Sequence, residues 1–183
     1  MDAVIMSIPG DGGSPWKQVN WNNGRSDTAK RIHWYRAEFR RNFTAMEKIM
    51  AVASRREATI ILVSPADSDY WRLSMVRRAM ARFNMRTTTV SACQLGLVSG
   101  RKDTLGLPLN MQWKIATNSS KIAGLGSGRC QDGHKHVPCV GFDAARAKLC
   151  PPPLADLILK KLGEERRKIR RALRNVAVSS TPD

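Results

Sequence analysis

Apolar positions along this chain recur with two different periods, and the changes of period predict its elements. Ala3 to Ile8 is a short apolar run, ended by Pro9-Gly10 and followed by Gly12, Gly13, Ser14 and Pro15. A run of that length stopping in a Gly/Pro loop predicts a buried parallel strand with a tight loop at its carboxyl end. Asp27 or Thr28 can cap a helix running to about Arg55, because Ile32, Tyr35, Phe39, Phe43, Met46 and Met50 make one apolar stripe. Lys30, Arg31, Arg36, Arg40, Arg41 and Lys48 fall on its other face and read as solvated. Thr59 to Val63 predicts a second buried strand, followed by Ser64-Pro65. A second helix is expected from about Tyr70 to Phe83, with Leu73, Val76, Met80 and Phe83 inward and Asp67 or Asp69 as its cap.

Arg86 to Ala92 is rich in Thr and Val and predicts a third strand. Gly96, Gly100, Gly106 and Pro108 mark residues 93–111 as a long loop, after which Gln112 to Thr117 predicts a fourth strand. Lys121 to Leu125 suits a single helical turn, and Ser127 to Cys150 shows no period. Leu154 to Asn175 predicts a helix weakened at Gly163, packed through Leu154, Leu157, Ile158 and Leu162. Its later half is strongly basic, and Ser179 to Asp183 reads as a disordered tail. The first three strands alternate with helices, which argues for parallel crossovers in an α/β fold. The fourth follows a loop without a helix, so it can return antiparallel.

Composition narrows the partners. The chain has 183 residues, enough for one domain with one core. Its 31 Lys+Arg against 15 Asp+Glu give a net charge of +16, with a pI near 10.6. Such an excess attracts polyanions, nucleic acid first and an anionic membrane surface second. No apolar segment approaches the ~18 residues of a membrane span. Met1-Asp2 lacks the basic start of a secretory leader, so an intracellular location, cytoplasmic or nuclear, is expected. Four cysteines in such a chain suit thiols or metal ligands better than disulfides.

Cys130, His134, His136 and Cys139 lie within one short segment, and their donor types suit zinc. Gly133 would allow the reversal that such close ligands need. The competing reading is a loop whose histidines hydrogen-bond locally. Cys93, at the carboxyl end of the third strand, reads as a half-buried thiol.

Four segments carry a family resemblance. Ser7-Ile8-Pro9-Gly10-Asp11-Gly12-Gly13-Ser14-Pro15-Trp16 resembles the Pro-Cys loop of cytosine-5 DNA methyltransferases, in a divergent form carried by retroelements and viruses. The family's nucleophilic cysteine falls on Gly10. Val63-Ser64-Pro65, followed by Trp71, resembles the segment holding the family's glutamate, whose position falls on Val63. Ala92 to Leu97 with Arg101-Lys102, then Trp113 to Asn118, resembles the region that supplies basic residues and returns as the last strand. Arg129-Cys130 with His134-Lys135-His136 is similar to a segment that follows that strand.

The resemblance spans about residues 3–160. It implies the second half of a Rossmann-like, class I methyltransferase-type sheet with an antiparallel last strand, and residues 161–183 would be a basic helical extension. Gly10 and Val63 then stand at degenerate catalytic positions. The family's S-adenosylmethionine site precedes the matched strands, so that cofactor is expected only with a second chain supplying the missing half. The leading expectation is a truncated, inactive methyltransferase-like protein binding DNA or RNA without sequence preference. Its contact residues would be Ser14, Pro15, Arg101, Lys102, Lys114, Arg166, Arg167, Lys168, Arg170, Arg171 and Arg174. The alternatives are one half of a split methyltransferase and a zinc-stabilised nucleic-acid-binding protein. Half a sheet would also leave its first strand as an open edge for a partner chain.

Overall fold

The apolar run from Thr59 becomes the innermost strand, β2 (Thr59–Pro65), and its residues are buried up to the last. The computed structural model describes residues 2–8, 13–14, 26–127, 130, 133–147 and 150–179, with the side chains of 26, 127 and 169–179 outside the description. β1 (Ala3–Ser7) pairs parallel with β2, Ala3 opposite Thr59 and Ser7 opposite Val63. β5 (Gln112–Thr117) pairs antiparallel with the other side of β2, and β3 (Arg86–Ser91) pairs antiparallel with β5. The order β1-β2-β5-β3 is a mixed four-stranded sheet, with the antiparallel strand inside it.

Helices cover both faces, which is why β2 is apolar at successive positions instead of alternating. Ile60 and Leu62 point to one side, into a cluster with Phe39, Phe43 and Met50 of α1 (Ser26–Arg55) and Val76 and Ala79 of α2 (Ser74–Arg82). Ile61 and Val63 point to the other. They pack with Trp113 and Ile115, with Ile122 of α3 (Ser120–Ala123), and with Leu154 and Ile158 of α5 (Pro152–Ser179). The expected stripe of α1 is the buried one: Ile32, Phe39, Phe43 and Met50 are inaccessible, with Tyr35 and Met46 half-buried.

Three expectations are corrected. The helix expected from Tyr70 to Phe83 is two pieces, a 3₁₀ turn (Asp69–Arg72) and α2, separated by an extended Leu73. The turn buries both Tyr70 and Trp71. Tyr70 stacks on Phe39 with ring centres 3.8 Å apart, and Trp71 Nε1 donates to the Pro65 carbonyl at 2.9 Å. The cap is Ser68, whose Oγ accepts from the Tyr70 N–H at 3.4 Å; Asp67 is exposed and Asp69 pairs with Arg72 at 3.7 Å.

α5 continues unbroken through Gly163. Leu154 and Ile158 anchor its start, and Lys161 reaches Glu164 at 3.2 Å across the glycine. Pro152 and Pro153 are tolerated because first-turn N–H groups have no partner inside a helix. Lastly, the stretches read as loop or without period carry order of their own. A 3₁₀ turn (Ala92–Leu95) ends at Gly96 with φ +70°, and β4 (Leu109–Asn110) pairs parallel with β6 (Val137–Pro138) before α4 (Phe142–Arg146). Ala92, Leu109 and Val137 form a small third core there.

Two contacts finish the sheet. The Asn118 side chain clamps the start of β2, accepting from the Ile60 N–H at 2.8 Å and donating to the Ala58 carbonyl at 3.2 Å. Beside β3 a third 3₁₀ turn (Gly124–Ser127) lies so close that a Cβ on Gly126 would collide with Thr88 Oγ1 and the Thr89 carbonyl oxygen. Among the described residues no strand pairs with the outer edge of β1, and none of the helices is long and apolar enough to cross a membrane.

The two glycines make a matched test. Gly126→Ala must push a turn off the backbone of β3 and is expected to cost about 1–3 kcal/mol. Gly163→Ala meets nothing within 4 Å and lies in a helix interior. It should stabilise by roughly 0.5–1 kcal/mol. Urea unfolding midpoints measure both; equal effects would contradict the packing described.

Candidate metal centre and basic surface

The non-periodic segments meet the end of β3. Cys93 sits in the 3₁₀ turn that follows β3, and Cys130, His134 and His136 arrive from the segment preceding β6. Their donor atoms all lie within 4.8 Å of one another, so these four residues could bind a metal such as zinc. Cys130 Sγ is 3.7 Å from His134 Nε2 and 3.5 Å from His136 Nε2. The two imidazoles are 4.4 Å apart, centre to centre, and inclined at 57°. His134 is exposed and the other three are half-buried.

The membership differs from the sequence expectation at one position. Cys139 does not join the group; it packs against the small third core of Ala92, Leu109 and Val137. Burial, with the negative charges of Asp143 and Asp67, pushes its thiol up to about 11. Cys93 takes its place. Burial and the neighbouring Cys130 thiol push the Cys93 thiol up as well. Nothing local in the sequence marks Cys93 as a partner of Cys130, because the two meet only through the return of the chain along β5.

The loop bearing Arg101 and Lys102 is anchored by a residue that sequence reasoning passed over. Asp143, in the first turn of α4, is 1% exposed. Its Oδ2 accepts from the Ser99 hydroxyl at 2.6 Å and its Oδ1 from the Gly100 N–H at 2.8 Å. With its proton so committed, Ser99 Oγ accepts from the Arg101 N–H at 3.2 Å and from the Thr104 hydroxyl at 2.8 Å. Arg101 is half-buried and ion-pairs with Asp103, whereas Lys102 is exposed.

The remaining predicted contacts are dispersed. Lys114 is half-buried on β5, opposite Ser64, with its Nζ 5.4 Å from the Trp71 ring centre. Ser14 is half-buried beside Gly13, whose carbonyl accepts from the Asp69 N–H at 2.8 Å. Gly10 and Pro15 lie outside the described residues. Arg166, Arg167 and Lys168 are exposed on α5; Arg170, Arg171 and Arg174 continue that helix, with side chains outside the description. Val63 is fully buried. The structure thus gathers Cys93, Cys130, His134 and His136 into one group but not the described basic residues.

Comparison with protein-family models, with curated proteins and with solved structures finds no significant match.

Burial pushes the Asp143 carboxyl up, but the Ser99 hydroxyl, the Gly100 N–H and the charges of Arg101 and Arg146 outweigh it. The group is held below the usual carboxylate range. A folded-state value below the unfolded one, about 3.9, gives stability that is complete above about pH 4 and lost as pH falls through the folded value. Asp143→Asn should therefore lower the free energy of urea unfolding at pH 7 by on the order of 1 kcal/mol or more, since a buried acceptor is lost. It should also make the acid-unfolding curve shallower. An unchanged acid curve would show that another carboxylate controls it.

Proposed function

We propose that this chain binds polynucleotides through a basic surface carried on the second half of a methyltransferase-type sheet, and performs no methyl transfer itself. The observation that carries the second clause is the carboxyl end of β2. Val63, at the family's glutamate position, is fully buried in the second core cluster. Ser64 Oγ donates to the Ile8 carbonyl at 3.2 Å. Of the adjacent acids, Asp69 belongs to the turn that buries Tyr70 and Trp71, and Asp67 is exposed ahead of it. A ring presented at this end would meet no carboxylate held by the strand. Supporting the sheet assignment is the strand order, with two strands of one direction flanking an antiparallel last strand.

The first clause rests on charge. The net +16 exceeds what internal pairing absorbs. Both acids in the later, basic half of α5 are engaged, Glu164 by Lys161 at 3.2 Å and Glu165 by Lys121 at 3.6 Å, while Arg166, Arg167 and Lys168 stand exposed beyond them. Polyanion binding of this kind releases counterions and is steeply salt-dependent.

The outer edge of β1, which no strand among the described residues pairs and where Ile5 is exposed, favours a second reading: another chain continues the sheet there and supplies an S-adenosylmethionine site. Under it, native mass measurement of protein isolated from its source gives an assembly that Ile5→Pro dissolves. A monomer under those conditions eliminates it.

Two measurements test the main reading. Incubation with labelled S-adenosylmethionine and cytosine-containing DNA should leave the DNA unlabelled; clear incorporation would overturn the proposal. Gly10→Cys with Val63→Glu should not rescue transfer, and Val63→Glu alone should destabilise by on the order of 3 kcal/mol or more, because it buries an unpaired carboxylate. Fluorescence anisotropy with single- and double-stranded oligonucleotides of unrelated sequence should show similar affinities. These should fall at least ~10-fold between about 50 and 200 mM salt. Salt-insensitive binding, or none, would remove the first clause.

A further inference from the structure

We infer that Cys93, Cys130, His134 and His136 hold one zinc ion in a closed, structural four-ligand site, with Cys93 and not Cys139 as the second thiolate. The inference is independent of nucleic-acid binding. It starts from donor chemistry: two thiols and two imidazoles are the mixture that a tetrahedral, borderline-soft divalent ion takes.

The geometry agrees with the size of that tetrahedron. Zinc–sulfur bonds of about 2.3 Å and zinc–nitrogen bonds of about 2.0–2.1 Å place a sulfur and a nitrogen about 3.6 Å apart along a tetrahedral edge. The two sulfur–nitrogen separations, 3.7 and 3.5 Å, bracket that value. Both contacts converge on a single sulfur. A neutral Cys130 thiol has one proton for two imidazole nitrogens, whereas an ion at the centre engages all four donors. On binding, both thiols give up their protons to solvent as thiolates. Four protein donors leave no open coordination position, so the ion supplies structure and not a reactive water.

The placement gives the ion a task. Its ligands come from two segments, the turn after β3 and the segment before β6. Among the described residues the surrounding parts of the chain meet otherwise through the two-residue pairing of β4 with β6, the small third core and the Asp143 contacts to Ser99 and Gly100. That is little burial to hold a polar segment in place. The ion would bolt the second segment to the end of β3, on the same substructure that carries the Arg101–Lys102 loop.

The full chain, purified without chelator and then incubated with equimolar zinc, should carry about one zinc per chain by mass spectrometry. Cys93→Ser and His134→Gln should each fall below ~0.2 zinc per chain under the same conditions, whereas Cys139→Ser should keep its zinc. His134 is exposed. Its replacement therefore reports on the site even if Cys93→Ser fails to fold, which far-UV circular dichroism checks. Cobalt(II) in place of zinc should give the intense visible bands of a tetrahedral ion and a near-ultraviolet thiolate charge-transfer band. Less than ~0.2 zinc in the wild type would overturn the site altogether. Retention in Cys93→Ser with loss in Cys139→Ser would overturn the ligand set. Octahedral cobalt spectra would overturn the closed geometry.

Discussion

Burial of β2 on both faces is the constraint from which the rest of the structure follows. Ile60, Ile61, Leu62 and Val63 are all inaccessible, and each such side chain contributes about 1.5–3 kcal/mol when withdrawn from water. Neither layer of helices can be omitted without exposing half of this strand. Two-faced burial also removes the usual guard on register. In a strand with one polar face, a one-residue slip turns apolar side chains to solvent. In β2 a slip would only exchange Ile60 and Leu62 for Ile61 and Val63. Polar contacts at its two ends do the work instead. The Asn118 amide holds Ile60 and Ala58 at the start, and the Trp71 indole holds the Pro65 carbonyl at the finish.

The second half of the molecule is organised differently. Residues 92–111 and 133–146 bury only the small core of Ala92, Leu109 and Val137, and hold together also by a few specific links: the β4–β6 pairing, the carboxylate of Asp143 in the 99–104 turn, and the convergence of Cys93 with Cys130, His134 and His136. Each link joins residues far apart in the chain, and removing one leaves polar groups without partners, not merely a smaller core.

This contrast explains what could be read from the residue order. The strands and α1 carry their own periodicity, so the stripe from Ile32 to Met50 and the runs at Thr59 and Gln112 were legible. The break at Leu73 was not, because it arises from the need to bury two adjacent rings against α1 and Pro65, which no local period encodes. The metal ligands were legible in part. Cys130, His134 and His136 announce themselves by proximity in sequence. Proximity also suggested Cys139, but its side chain is drawn into the small third core, and the tertiary fold brings in Cys93. Asp143 gave no signal, since an isolated acid in an irregular segment looks like any surface carboxylate.

The two margins of the sheet are unlike. On the β3 side, the turn at Gly126 lies against the strand backbone, while among the described residues the β1 side has no strand beyond it. A sheet open at both margins can add copies of itself without end and grow into a fibre. A sheet blocked at one margin cannot. Two copies joined through their β1 strands would present only blocked margins outward, and the addition would stop at a pair.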